Sequence, residues 1–200
     1  MTFVIVYRRR TTLQVSALLA GTLVLYASWT LGGWRWLLAP AIFFLTYSSF
    51  YPGKLSEEDR THNVYAVVSV SSAGLIWLFL AHAWHSPKYL FPYTLAYAIH
   101  LSIIAWTLAC IRFPNWYPRL QPALCVLESW LIMFLPYIAI QRGGRPALLQ
   151  MAFSLPICAA AFWIFCRLQP RNAGFYSVEV GRWYCQAGVA FMPALLASFL

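Results

Sequence analysis

Seven apolar stretches separated by short polar connections organise this chain of 200 residues. They run over about 12–30, 34–51, 64–84, 92–111, 122–140, 147–166 and 183–200. At ~1.5 Å per residue, stretches of about 18–21 residues match a hydrocarbon core about 30 Å thick. The runs are continuous rather than alternating, so the pattern predicts helices and speaks against a transmembrane β-barrel. The expected fold is all-α: a single polytopic domain over 1–200, a bundle of about seven transmembrane helices with short loops.

Several residues mark the boundaries. Gly32-Gly33 predicts a tight turn, and Trp34, Arg35 and Trp36 open the second run as an interfacial aromatic belt would. Pro87 ends the third run, and Pro156 inside the sixth predicts a kink. Ser69, Ser71, Ser72, Ala73 and Gly74 are small enough to let the third helix approach its neighbours closely. The first run follows Arg8, Arg9 and Arg10 but exceeds a signal-peptide core of about 7–15 residues. No convincing small-x-small cleavage site closes it, so it reads as a retained helix.

Composition sharpens the class. Hydrophobic residues make up 62% and charged residues 10%, against about 25% charged in a soluble domain. The net charge of +9 would suggest nucleic acid in a soluble protein. Here the basic residues lie between apolar runs, where anionic headgroups and the positive-inside rule account for them. No basic face exists outside the runs, so nucleic acid is not an expected partner. With seven spans, one side collects Arg8, Arg9, Arg10, Lys54, Arg60, Arg112, Arg119, Arg167, Arg171 and Arg182. The other collects Arg35, Lys88, Arg142 and Arg145. That asymmetry predicts a multi-pass integral membrane protein with its N-terminus cytoplasmic. The five Cys form no CxxC, so they read as small buried hydrophobes rather than a zinc or redox motif.

Candidate chemistry centres on Glu128, the one carboxylate well inside an apolar run. A charge at the bilayer centre costs about 2.5 kcal/mol or more, so such a residue has a partner or a task. The candidate partner is His100, on the preceding run. If the two helices are antiparallel neighbours, Glu128 lies ~9 Å and His100 ~16 Å from the cytoplasmic end. Together they could act as catalytic acid and base, or form a structural hydrogen bond between helices. Tyr97, Trp106, Trp130 and Tyr137 are the candidate substrate-binding wall, for an isoprenoid, a sterol-like ring or another lipid. The plainer reading of these rings is packing and lipid contact.

His82 and His85 share a helix face, but the four His fall at unmatched depths and offer no facing pair for haem. Ser56-Glu57-Glu58-Asp59 suits a helix cap better than a metal-diphosphate site, since no second acidic motif faces it. GxSxG, HExxH, a glycine-rich phosphate loop and an intraspan Lys are absent. No metal site is expected, and no cofactor is assigned.

The sequence points first to a small integral-membrane enzyme of lipid or isoprenoid metabolism, using acid/base chemistry on a lipid-soluble substrate. Its partners would be the lipid bilayer and a hydrophobic small molecule. Two other classes stay open. One is a small-molecule carrier with Glu128 as the coupling charge. The other is a structural or cofactor-holding subunit of a complex with other membrane proteins. An enzyme requires an enclosed apolar cavity at Glu128. A carrier requires a polar path toward both ends, with helix breaks such as Pro136 and Pro156.

Overall fold

The computed structural model describes residues 15–50, 64–112, 120–142, 144–168 and 175–199. Among the described residues there are seven α-helices and no strand. They are α1 (Val15–Gly32), α2 (Trp34–Phe50), α3 (Val64–Ala83), α4 (Leu90–Arg112), α5 (Gln121–Ile140), α6 (Arg145–Leu168) and α7 (Phe175–Ala197). A short 3₁₀ turn, Pro87–Tyr89, leads into α4. The basic head with Arg8, Arg9 and Arg10 lies outside the described residues, as do Glu57, Glu58, Asp59 and residues 113–119.

Six helices follow the apolar runs within a few residues. The last begins at Phe175 rather than near 183. Glu179 and Arg182 interrupt the apolar run but not the helix, because both are good helix formers. Arg182 also has an interior partner: its Nη2 donates to Thr107 Oγ1 at 2.6 Å. Gly33 makes the expected turn with φ of 76°, a backbone region that residues with a Cβ rarely adopt. At Pro156 α6 continues without interruption to Leu168. Pro40, Pro136 and Pro193 also lie inside helices.

Helix α4 is the axis of the bundle. Every residue from Leu90 to Ile103 is buried. Helices α2, α3, α5, α6 and α7 pack against it, while α1 packs on α2 and α3. Successive helices run in opposite directions. Trp130 on α5 donates to Ser154 on α6, and one to two turns along α5 Tyr137 donates to Gln150. Gly74 on α3 gives close approach as its size predicts: a Cβ there would meet the Tyr97 ring at 2.7 Å. The alternation gathers Arg35, Lys88, Arg142 and Arg145 at one end of the bundle and Arg167 and Arg182 at the other.

Three helical segments are long and apolar enough to cross a membrane: Pro87–Cys110, Gln121–Ile140 and Arg145–Leu168. The first owes its hydropathy to a place in the core. The other two turn much of theirs outward, through Leu124, Leu127 and Leu135 on α5 and Leu148, Phe153 and Trp163 on α6.

One hydrogen bond ties α2 to the axis. Pro40 has no N–H, so the Trp36 carbonyl loses the helix donor four residues on. The Tyr93 hydroxyl takes that place, donating to Trp36 O at 2.8 Å. Ser28 Oγ on α1 lies 3.0 Å from the same hydroxyl, so the group joins three helices. Replacing Tyr93 with Phe strands a buried carbonyl, and a loss of about 1–3 kcal/mol is expected. In a Pro40→Ala background the helix regains its own N–H, and the loss should shrink. Denaturation of the four proteins of this double-mutant cycle in detergent measures the coupling; additive effects would show that Tyr93 does not replace the missing donor.

Candidate functional site

Tyr93, Tyr97, His100 and Thr107 occupy positions i, i+4, i+7 and i+14 of α4, one face of a helix. This polar stripe is about 21 Å long. Ile104 interrupts it, packing against the apolar cluster of Ala17, Leu18, Tyr47 and Val67. At the Arg182 end, that residue's bond to Thr107 anchors α7 to α4. Ser69 Oγ donates to the Trp183 carbonyl at 2.6 Å and anchors α7 to α3. At the opposite end, Tyr93 is held by Trp36 and Ser28.

Between these ends the stripe has polar atoms without partners. His100 has no solvent exposure, and neither Nδ1 nor Nε2 makes a hydrogen bond. The Ser71 and Tyr93 hydroxyls approach that of Tyr97, yet Tyr97 Oη completes no bond of good geometry. Ser71 Oγ and Gln186 Nε2 are likewise buried and unpartnered. Register brings these groups toward one level. Gly74 faces Tyr97, and three residues further along antiparallel helices stand Ser71 and His100. Gln186 is one turn from Arg182, about 6 Å further into the bundle. Each unsatisfied buried group costs about 1–3 kcal/mol, and native structures hold few of them. A neutral imidazole offers one donor and one acceptor, a hydroxyl both, and a Gln amide nitrogen two donors. The level therefore presents hydrogen-bond donors and acceptors from α3, α4 and α7.

The sequence-predicted pair does not meet. Glu128 is exposed, on the outward stripe of α5 with Leu124, Leu127 and Leu135. The inward face of α5 is made by Cys125, Ser129, Met133 and Tyr137 instead. His100 stays in the core and makes no hydrogen bond to it. The expected aromatic wall is also dispersed. Tyr97 packs on α3 at Gly74. Trp106 meets Phe162 edge-on at 5.5 Å. Trp130 and Tyr137 bond to Ser154 and Gln150 across the α5–α6 seam. His82 accounts for itself locally, its Nδ1 lying 3.2 Å from the Leu31 carbonyl, to which it must donate. Among the described residues no group of three or more His, Cys, Asp or Glu is placed to hold a metal ion.

Ser71, Gln186, Arg182 and Tyr93 were not singled out as site residues by the sequence. The spacing Tyr93, Tyr97, His100 was the available signal, since it marks one face of an otherwise apolar helix. Compared with protein-family models, curated proteins and solved structures, the chain matches none.

If His100 is retained for a task rather than for packing, an apolar replacement removes an unsatisfied group and should not destabilise. His100→Leu is expected to leave the melting temperature unchanged or raise it, and Glu128→Gln to change it little. A loss above about 2 kcal/mol for His100→Leu would identify the imidazole as a structural hydrogen-bonding group.

Proposed function

We propose that this chain is a seven-span integral membrane protein, N-terminus cytoplasmic, that carries a small polar solute or a proton along the stripe of α4. The observation that carries this reading is that four residues with buried, unpartnered polar atoms, Ser71, Tyr97, His100 and Gln186, lie on or beside the stripe; Trp77 Nε1 and Gln121 Nε2 are the other unpartnered groups among the described residues. Polar groups at membrane depth are costly and mark solute or proton pathways. The membrane part is supported by the three long apolar segments. Exposed rings and aliphatic chains on other helices, such as Leu23, Phe79, Tyr184 and Leu196, support it too. Sidedness rests on the ten-to-four distribution of basic residues along the sequence.

In this reading Arg182 and Thr107 stand at the cytoplasmic end of the path, and Tyr93 and Ser28 at the other. His100 and its neighbours form the midpoint. Ile104 is the apolar plug that must move aside. Helices α2, α5, α6 and α7 each contain an internal Pro, and a missing backbone bond lets such a helix bend as the wall opens. None of Tyr93, Tyr97, His100, Thr107, Ser71 or Gln186 is a carboxylate, which favours a neutral or anionic cargo, or a proton, over a metal cation. The exposure of Glu128 argues against an enclosed acid/base site at that residue, and so against the lipid-modifying enzyme.

Proteoliposomes test the reading. An entrapped pH-sensitive dye under a potassium diffusion potential reports proton movement, and stopped-flow swelling reports glycerol and acetate. At least one flux should exceed that of empty vesicles. His100→Leu should return it to background, and Glu128→Gln should leave it intact. Fluxes equal to empty vesicles for all three probes, or a His100→Leu protein as active as its parent, would overturn the proposal.

A further inference from the structure

A second feature lies at the end of the bundle opposite Arg182, where α1 and α3 stop. His82 stands on the last turn of α3, and His85 follows just past its end. Both side chains are exposed, and their rings stack with centroids 6.3 Å apart. The backbone brings them together. The Ser86 N–H donates to the Ala81 carbonyl at 3.1 Å and the His85 N–H to the His82 carbonyl at 3.4 Å, the pattern of a helix closed by one left-handed residue. That residue is His85, with φ of 49°. Glycine fits such a place with least strain, and His is among the side chains that tolerate it. The chain keeps an imidazole where the turn itself needs none, and the reversal sets that ring beside His82.

The first ring is also oriented. His82 Nδ1 donates to the Leu31 carbonyl at the end of α1, 3.2 Å away, which leaves the lone pair of the neutral ring on Nε2. Metal-bound His is held in this way, its other N–H given to a carbonyl or carboxylate. Two metal–nitrogen bonds of about 2.0–2.1 Å let one ion join nitrogens up to ~4 Å apart. Each ring centroid lies a little behind its nitrogen, so centroids 6.3 Å apart are within reach of a single ion. Charge and ligand type select the class of ion. Arg35, Lys88, Arg142 and Arg145 gather at this end and oppose a cation held by charge alone; the negative end of the α3 dipole offsets them in part. Ca²⁺ and Mg²⁺ take oxygen ligands, which this pair of rings does not offer. Imidazole suits Cu²⁺, Ni²⁺ and Zn²⁺, with Cu²⁺ held most tightly.

We propose that His82 and His85 form a two-ligand site for a transition-metal ion of the Cu²⁺ and Zn²⁺ class, with water or a small anion completing the coordination. The proposal is independent of the carrier reading and of sidedness, because binding is measured without flux. The test is a Cu²⁺ titration of the protein purified in mild detergent without a histidine tag, with the exposed thiol of Cys110 blocked by N-ethylmaleimide. Electron paramagnetic resonance should show one Cu²⁺ per chain coupled to two imidazole nitrogens. His82→Gln and His85→Gly should each weaken Cu²⁺ binding at least ~10-fold, since loss of a residue that only supports a ligand already costs about 10–100-fold. Glycine suits the backbone at 85, so His85→Gly should melt no lower than the parent without metal, which separates a lost ligand from a lost fold. His62→Gln should bind like the parent. Zn²⁺ should compete for the pair, and a large excess of Mg²⁺ should not. A parent that retains no Cu²⁺, a His82→Gln/His85→Gly double variant that retains as much as the parent, or displacement of Cu²⁺ by Mg²⁺ would overturn the site.

Discussion

The hydrogen bond from the Tyr93 hydroxyl to the Trp36 carbonyl shows the constraint under which this bundle is built. Helix α4 has no exposed face over Leu90–Ile103, so each polar side chain there must be answered inside the bundle, by the helix's own backbone, as Thr94 and Ser102 are, or by a neighbouring helix. Pro40 creates a carbonyl in need of a donor, and Tyr93 creates a donor in need of an acceptor. Placed together, each removes the other's desolvation cost. Ser28 extends the contact to α1, so the helix outside the inner ring is still joined to the axis by a polar bond.

The same constraint makes the middle of α4 stand out. The ends of the polar stripe are answered, by Trp36 and Ser28 on one side and by Arg182 on the other. His100, Tyr97, Ser71 and Gln186 are not. An apolar side chain in place of the His100 imidazole would leave no polar atom there to answer. Retained imidazole and amide groups there are the physical basis for the transport reading, and they shift attention from the exposed carboxylate to the buried ring.

Charge is arranged as unevenly as polarity. Among the described residues, Glu128 and Glu179 lie in the halves of α5 and α7 farther from Arg35. Arg35, Lys88, Arg142 and Arg145 gather at the other end and give it a positive field.

The sequence by itself determined the helices. Continuous apolar runs, Gly33 and the prolines at helix starts act through local backbone chemistry, and α2 to α6 begin and end within about two residues of where those signals lie. The start of α7 escaped because Glu179 and Arg182 interrupt hydropathy without interrupting helix formation. Which face of each helix turns inward was decided by tertiary structure alone. In helices apolar all round, the pattern of hydrophobic positions contains no direction. That is why Glu128, conspicuous in the chain, lies outside, while His100 lies at the centre. Tyr97 was legible as a neighbour of His100 because both sit on one helix. Ser71 and Gln186 were not, because they reach that level only when α3 and α7 pack against α4.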